Sequence, residues 1–86
     1  MFSLSQNYPN PFNPITTIGF GIMEKGNVRL SVLNILGEEI RVLINEEKEA
    51  GYHEIDFNGS DLPSSVYFYR IQAGNFIDTK KMILLR

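Results

Sequence analysis

VYFYRIQAGNFIDTKKMILLR, residues 66–86, is the stretch whose reading decides the fold. Val66–Ala73 alternates strictly, with Tyr67, Tyr69 and Ile71 on one face and Phe68, Arg70 and Gln72 on the other, the period of two of a half-buried strand. Gly74-Asn75 then interrupts the pattern. Both residues accept positive φ, so the spacing predicts a two-residue hairpin of the primed kind. Phe76–Leu85 is the return strand, mixed at its start and apolar at its close in Met82-Ile83-Leu84-Leu85. Four apolar residues in a row are expected to dock together into a core. Upstream, Leu62-Pro63-Ser64-Ser65 stops any earlier strand, because Pro63 has no N–H to give to a ladder.

The same alternation recurs toward the N-terminus. Thr16–Ile22 puts Ile18, Phe20 and Ile22 inward against Thr17, Gly19 and Gly21, and Glu24-Lys25-Gly26-Asn27 reads as a turn. Val28–Asn34 sets Val28, Leu30 and Val32 against Arg29, Ser31 and Leu33. Asn34-Ile35-Leu36-Gly37 is a second turn, with Gly37 supplying a φ that other residues resist. In Glu38–Ile44, Ile40, Val42 and Ile44 share one parity and Leu43 takes the other, which a bulge would reconcile. Glu46–Ala50 (EEKEA) has helix-forming composition but is short and polar, so it is expected to be a loop with a helical turn possible. Tyr52–Asn58 places His53, Ile55 and Phe57 opposite Tyr52, Glu54 and Asp56, and Asn58-Gly59-Ser60-Asp61 closes it. With Leu4–Gln6 as a short edge, about seven strands separated by Gly/Asn turns predict an all-β, immunoglobulin-like antiparallel β-sandwich.

Residues Gln6–Pro14, QNYPNPFNP, hold three of the four prolines and three asparagines. Helix is excluded there, since proline lacks a donor and pushes the preceding residue to extended geometry. Asn7, Asn10 and Asn13 are expected to fold their amides onto nearby backbone, and Tyr8 and Phe12 to anchor the strap on the sandwich. Two compatible roles stay open: a stiff lead-in that sets how a preceding domain joins, or a cover for a sheet edge. The expected organisation is one domain over residues 1–86, with a strap at 4–14 and the sandwich at 16–86.

Composition excludes several function classes. Net charge is −2, with eight acids in residues 38–61 against Arg41 and Lys48, and Arg70, Lys80, Lys81 and Arg86 against Asp78 in residues 70–86. Four cations in an acidic chain do not make the basic stripe that nucleic acid requires. No apolar run approaches the ~18 residues of a membrane span, and Met1-Phe2-Ser3-Leu4 does not read as a secretory signal. Export information, if the domain works outside the cytoplasm, is expected within it or elsewhere in a longer chain. There is no cysteine, which removes disulfides, thiolate ligands and cysteine nucleophiles.

His53 is the one histidine, and it shares parity with Ile55 and Phe57, so a half-buried strand histidine is the favoured reading over a proton-transfer residue. Asp56-Phe57-Asn58-Gly59-Ser60 faintly resembles half of a calcium loop. Asp61 stands where the tight-turn glycine belongs and Tyr67 where a bidentate glutamate is needed, so a plain turn is favoured. Tyr67, Phe68 and Tyr69 would make a carbohydrate platform if Phe68 were exposed, and core packing explains two of the three. No catalytic residue, metal or cofactor is expected.

Taken together, QNYPNPFNPITTIGF (6–20), VRLSVLNILGEEI (28–40) and the run from AGYHE to KKMILLR (50–86) resemble, in order and spacing, the C-terminal sorting domain of type IX secretion cargo proteins from Bacteroidetes-type bacteria. The resemblance implies an immunoglobulin-like domain behind an N-terminal cargo domain. It implies recognition by the type IX translocon and sortase components, with a route from the periplasm to the outer membrane, cell surface or medium. It also implies recognition through Asn34 and Gly37 in the turn, Gly51 and Tyr52, and Lys80 and Lys81 in the last strand. Ser65 and Leu33 depart from the family pattern, which usually has a glycine and an aromatic there. A monomer without membrane insertion is expected. Two other resemblances remain open, the immunoglobulin-like domain of flagellar hook-capping proteins and a carbohydrate-binding β-sandwich of a secreted hydrolase.

Overall fold

The computed structural model describes residues 1–86 and contains seven strands and no helix. They are β1 (Ser3–Leu4), β2 (Ile15–Ile22), β3 (Gly26–Leu33), β4 (Glu39–Lys48), β5 (Gly51–Asn58), β6 (Ser65–Ala73) and β7 (Phe76–Leu84). Two antiparallel sheets, ordered β1-β2-β5 and β4-β3-β6-β7, face each other. The chain crosses between sheets after β2, β4 and β5, which is the immunoglobulin-like arrangement the strand pattern predicts. The first edge is shorter and earlier than expected, Ser3–Leu4 in place of Leu4–Gln6.

Facing side chains follow the alternation. Ile18, Phe20, Ile22 and Phe57 from one sheet meet Val28, Leu30, Val32, Tyr67, Tyr69 and Ile71 from the other in a single apolar cluster. The last strand alternates as well. Met82 and Leu84 are fully buried, but Ile83 faces the outer side half-buried and Leu85 is 54% exposed. The expectation that all four residues dock together is therefore corrected: strand geometry sends alternate residues to opposite faces.

The β6–β7 hairpin has the expected two-residue loop, Ala73 pairing with Phe76. Only Gly74 takes positive φ, at 60°, while Asn75 does not. That is the requirement of a type II′ turn, with glycine first, and not of a type I′ turn.

Strand β4 carries the irregularity its mixed parity suggests, and does so twice. The register against β3 slips between Leu30 and Ser31, leaving out Leu43, and again between Val32 and Leu33, leaving out Ile40. Ile44 stays inward opposite Leu30, whereas Val42 opposes the outward Ser31 and is 42% exposed, so the three residues do not share a face. Of the EEKEA segment, only Glu49 and Ala50 form the expected loop, with no helical turn, while Glu46, Glu47 and Lys48 are strand, pairing with Val28, Asn27 and Gly26. The β3 ladder reaches back to Gly26 and captures them, so tertiary pairing overrides local helix preference.

Residues 5–14 form a strap that ties the two sheets together along one flank. Tyr8 and Thr17 exchange two backbone hydrogen bonds on the β2 side. Phe12 then bridges the last strand, donating its N–H to the Ile83 carbonyl at 2.9 Å and accepting from the Leu85 N–H at 3.0 Å. The Asn10 side chain accepts from the Ile83 N–H. These contacts cover the edge that the end of β7 would otherwise expose. Phe12 is an anchor at 2% exposure, but Tyr8 is 80% exposed and anchors nothing. The second anchor is Asn7, buried among Tyr69, Thr16 and Pro9: its N–H donates to the Tyr69 hydroxyl, and its Nδ2 donates to Thr16 Oγ1 and the Pro9 carbonyl. Tyr69 in turn donates to the Ser5 carbonyl. Every buried side-chain polar atom has a partner, as close packing of polar groups requires.

Candidate functional site

The Asn34–Gly37 turn is fixed by one side chain. Asn34 Oδ1 accepts from the Leu36 and Glu38 N–H groups, and Nδ2 donates to the Glu38 carboxylate. Gly37 adopts φ +84°, the left-handed region that any side chain resists. The turn so fixed holds Ile35 and Leu36 out in solvent, 66% and 80% exposed. Both sequence-selected residues therefore work as supports. The residues they display were missed, although an apolar pair between an asparagine and a glycine was a readable signal.

Gly51 and Tyr52 lie at the opposite end of the sandwich. Gly51 opens β5 at φ +133°. Tyr52 is paired with Gly21 across the β2–β5 ladder, and its ring reaches diagonally over Gly19, where a methyl group would sit 1.8 Å from the phenol oxygen. The glycine in the middle of β2 is thus the space the Tyr52 ring occupies.

Lys80 and Lys81 occupy opposite faces of β7. Lys80 pairs with the inward Tyr69 and is half-buried at the sheet edge, while Lys81 pairs with Phe68 on the outer face and is exposed. Around Lys81 the outer face of the larger sheet is apolar and cationic. Leu33, Phe68 and Lys81 stand in one row, and Ser31, Arg70 and Thr79 in the next. Leu33 is 4% exposed yet outside the central core, so it is covered by neighbours on this outer face. Arg29 on the same face is paired to Glu39, whose carboxyl is held below the usual range by hydrogen bonds from Arg29 and Ser31. Ser65 opens β6 with ordinary negative φ, so the place where glycine is usual asks for no special conformation here.

The six selected residues thus fall at the two ends of the sandwich and on both faces of β7, and form no single pocket. The remaining candidates are engaged structurally. His53 stacks on Phe20 with ring centroids 5.3 Å apart and donates from Nε2 to the Glu49 carbonyl at 2.8 Å. Asp56 accepts from Thr17, Asp61 pairs with Arg41 at 2.9 Å, and Asn58 accepts from the Ser60 N–H as an ordinary Asx turn. Tyr67 and Tyr69 are 4% and 0% exposed and Phe68 is half-buried on the outer face, so of the aromatic run of β6 only Phe68 reaches the surface.

The C-terminus is held as firmly as the strap. Arg86 donates through Nη1 to the carbonyls of Gly59, Ser60 and Leu62, and its N–H donates to Ser64 Oγ. Three backbone acceptors on one guanidinium fold the last residue over the β5–β6 loop.

No curated protein matches the chain. The model of the family described as secretion system C-terminal sorting domain matches residues 6–85, which run from the strap to the last strand. The matched span takes in the strap, the Asn34–Gly37 turn and the terminal strand, and the chain belongs to the secretion system C-terminal sorting domains, the sorting signals of proteins exported by type IX secretion.

Proposed function

We propose that this domain is a folded address label, recognised by its shape at the type IX outer-membrane translocon, that directs the cargo joined to its N-terminal side to surface anchoring or release. The observation that carries the reading is the interlocking of strap and terminal strand. Phe12 bonds to Ile83 and Leu85, and Met82 and Leu84 lie in the core. A signal whose final strand is part of the scaffold is available to a reader only as a folded surface. Three features on that surface are suited to contact: the Ile35–Leu36 tip supported by Asn34 and Gly37, the Tyr52 ring following Gly51, and Lys81 beside Phe68. Lys80, on the other face, contributes at the strap side. Sortase components then act on the cargo after export, and the domain contributes no chemistry of its own.

A reporter fused to residues 4–86 tests this. Export is expected only in cells that possess the type IX machinery, and deletion of Met82–Arg86 is expected to abolish it by unfolding the label. Export that survives the deletion overturns the reading.

A further inference from the structure

A cleft of about 300 Å³ lies on the outer face of the smaller sheet, lined by Ser5, Gln6, Tyr8, Thr17, Gly19, Tyr52 and Glu54. Two exposed tyrosines, at 80% and 61%, line it, with the Tyr52 ring lying over Gly19, which has no side chain to displace it. Strands β1, β2 and β5 contain no lysine or arginine, while Glu54 and Asp56 both project from this face. Glu54 has no cationic partner, since the salt bridges of the molecule are made elsewhere.

The lining offers neutral hydroxyls from Ser5, Tyr8 and Tyr52, which can donate or accept, and its one charge is the Glu54 carboxylate. The Gln6 amide donates to Asn7 Oδ1 and to the Lys81 carbonyl, which leaves its carbonyl oxygen for the cleft. Thr17 donates its hydroxyl proton to Asp56, leaving an acceptor. Glu54 is acceptor-only when ionised. The hydroxyls can turn to accept, whereas the unpaired Glu54 carboxylate only accepts and carries the charge, so the lining favours a cationic donor, and arginine and lysine side chains carry donors and no acceptor. The faces of two tyrosines add the attraction of their π-clouds for a cation.

We infer that the Tyr8–Gly19–Tyr52 cleft binds an arginine or lysine side chain presented by a partner polypeptide, held between the tyrosine rings and against the Glu54 carboxylate. The inference rests on the proposed function, because it names the kind of group that Tyr52 would meet. Its test is nevertheless made on the isolated 86-residue chain, so export and binding fail independently. A sugar ring is the competing occupant, since tyrosines also stack on sugars and the lining hydroxyls would serve it, but it carries no positive charge to set against the Glu54 carboxylate.

The blocked tripeptide acetyl-Gly-Arg-Gly-amide is titrated into the ¹⁵N-labelled chain, beside its neutral citrulline analogue and cellotetraose. Saturable shifts at the Thr17, Gly19 and Glu54 amides are expected with the arginine peptide, weakening as salt is raised. Glu54→Gln keeps the shape and is expected to lower affinity about tenfold or more, the range of a charge-assisted hydrogen bond. Tyr52→Leu is expected to weaken it as well, with a dispersed spectrum showing that the fold persists. Equal response to the citrulline peptide, binding of cellotetraose alone, or no shift at these amides with any probe overturns the inference.

Discussion

Leu84 and Leu85 are chemically identical neighbours in the last strand, and the structure assigns them opposite fates. Leu84 is 0% exposed, pairs with Ser65, bridges to Phe12, and approaches Gly59 so closely that a methyl there would lie 3.2 Å from its Cδ2. Leu85 is 54% exposed and contributes a backbone N–H to the Phe12 carbonyl, which alanine would keep. Leu84→Ala removes three buried carbons and leaves a cavity beneath the strap, a change worth roughly 2–5 kcal/mol. Leu85→Ala lies within the ±0.5 kcal/mol typical of surface changes. A chain of this length has a total stability of roughly 4–13 kcal/mol, so the first change removes a large share of it and the second almost none. Urea unfolding followed by tyrosine fluorescence reads both, and the melting midpoint of Leu84→Ala should fall by roughly 4–8 °C per kcal/mol. Equal losses for the two variants, or a neutral Leu84→Ala, would show that the carboxyl end is not threaded into the interior.

Gly37→Ala forces a side chain into φ +84° and should cost about 1–2 kcal/mol by urea unfolding, while leaving the β6–β7 hairpin amides protected from exchange. The Tyr69 phenol is pushed up to about 12, chiefly by burial. An unfolded tyrosine titrates near 10, so between about pH 10 and 12 the unfolded chain releases a proton that the folded chain keeps; stability is full below pH 10 and is lost as pH rises toward 12. Unfolding free energies measured across that window should show the decline, and Tyr69→Phe, though less stable throughout, should show less of it. Lys80→Ala combined with Lys81→Ala should change stability by no more than about 1 kcal/mol, since neither lysine forms a salt bridge. Marked destabilisation by thermal melting would make these charges structural.

Where one physical rule governs a residue, the sequence was enough to place it. Strict alternation located Tyr67, Tyr69 and Ile71 in the core, and Gly37 marked a turn that required positive φ. Reading failed where two rules compete. EEKEA favours a helix locally but its first three residues belong to a strand, because β3 extends far enough to pair with them. Met82–Leu85 is apolar without interruption, and hydrophobicity alone could not say which two residues face inward; the ladder with β6 does. Tyr8 and Asn7 exchange the places that polarity suggests. Asn7 is buried because the Tyr69 hydroxyl, Thr16 and Pro9 satisfy it, and no local pattern announces partners as many as 62 residues away. The cleft beside Tyr52 was equally hidden, since Gln6, Thr17, Tyr52 and Glu54 meet only through the pairing of the strap, β2 and β5.

These contacts bear on how a terminal signal is read. A reader that took the last residues as an extended peptide would have to strip β7 from nine register partners on β6. It would also have to expose Met82 and Leu84, each worth about 1.5–3 kcal/mol on burial, and release Phe12 and Arg86 from their backbone partners. That work is comparable with the whole stability of a domain this size, so peeling the strand and unfolding the label are nearly the same event. A reader of the folded surface does none of it. The Ile35–Leu36 tip, the Tyr52 ring and the Lys81 row are already presented, and each is held by residues that a neutral substitution at the surface does not disturb. Export should therefore track folded stability across core variants such as Leu84→Ala, and track local chemistry, at constant stability, across Leu36, Tyr52 and Lys81 variants. A set of destabilised core variants exported as well as the parent, measured with the same reporter, would show that the reader takes an extended chain.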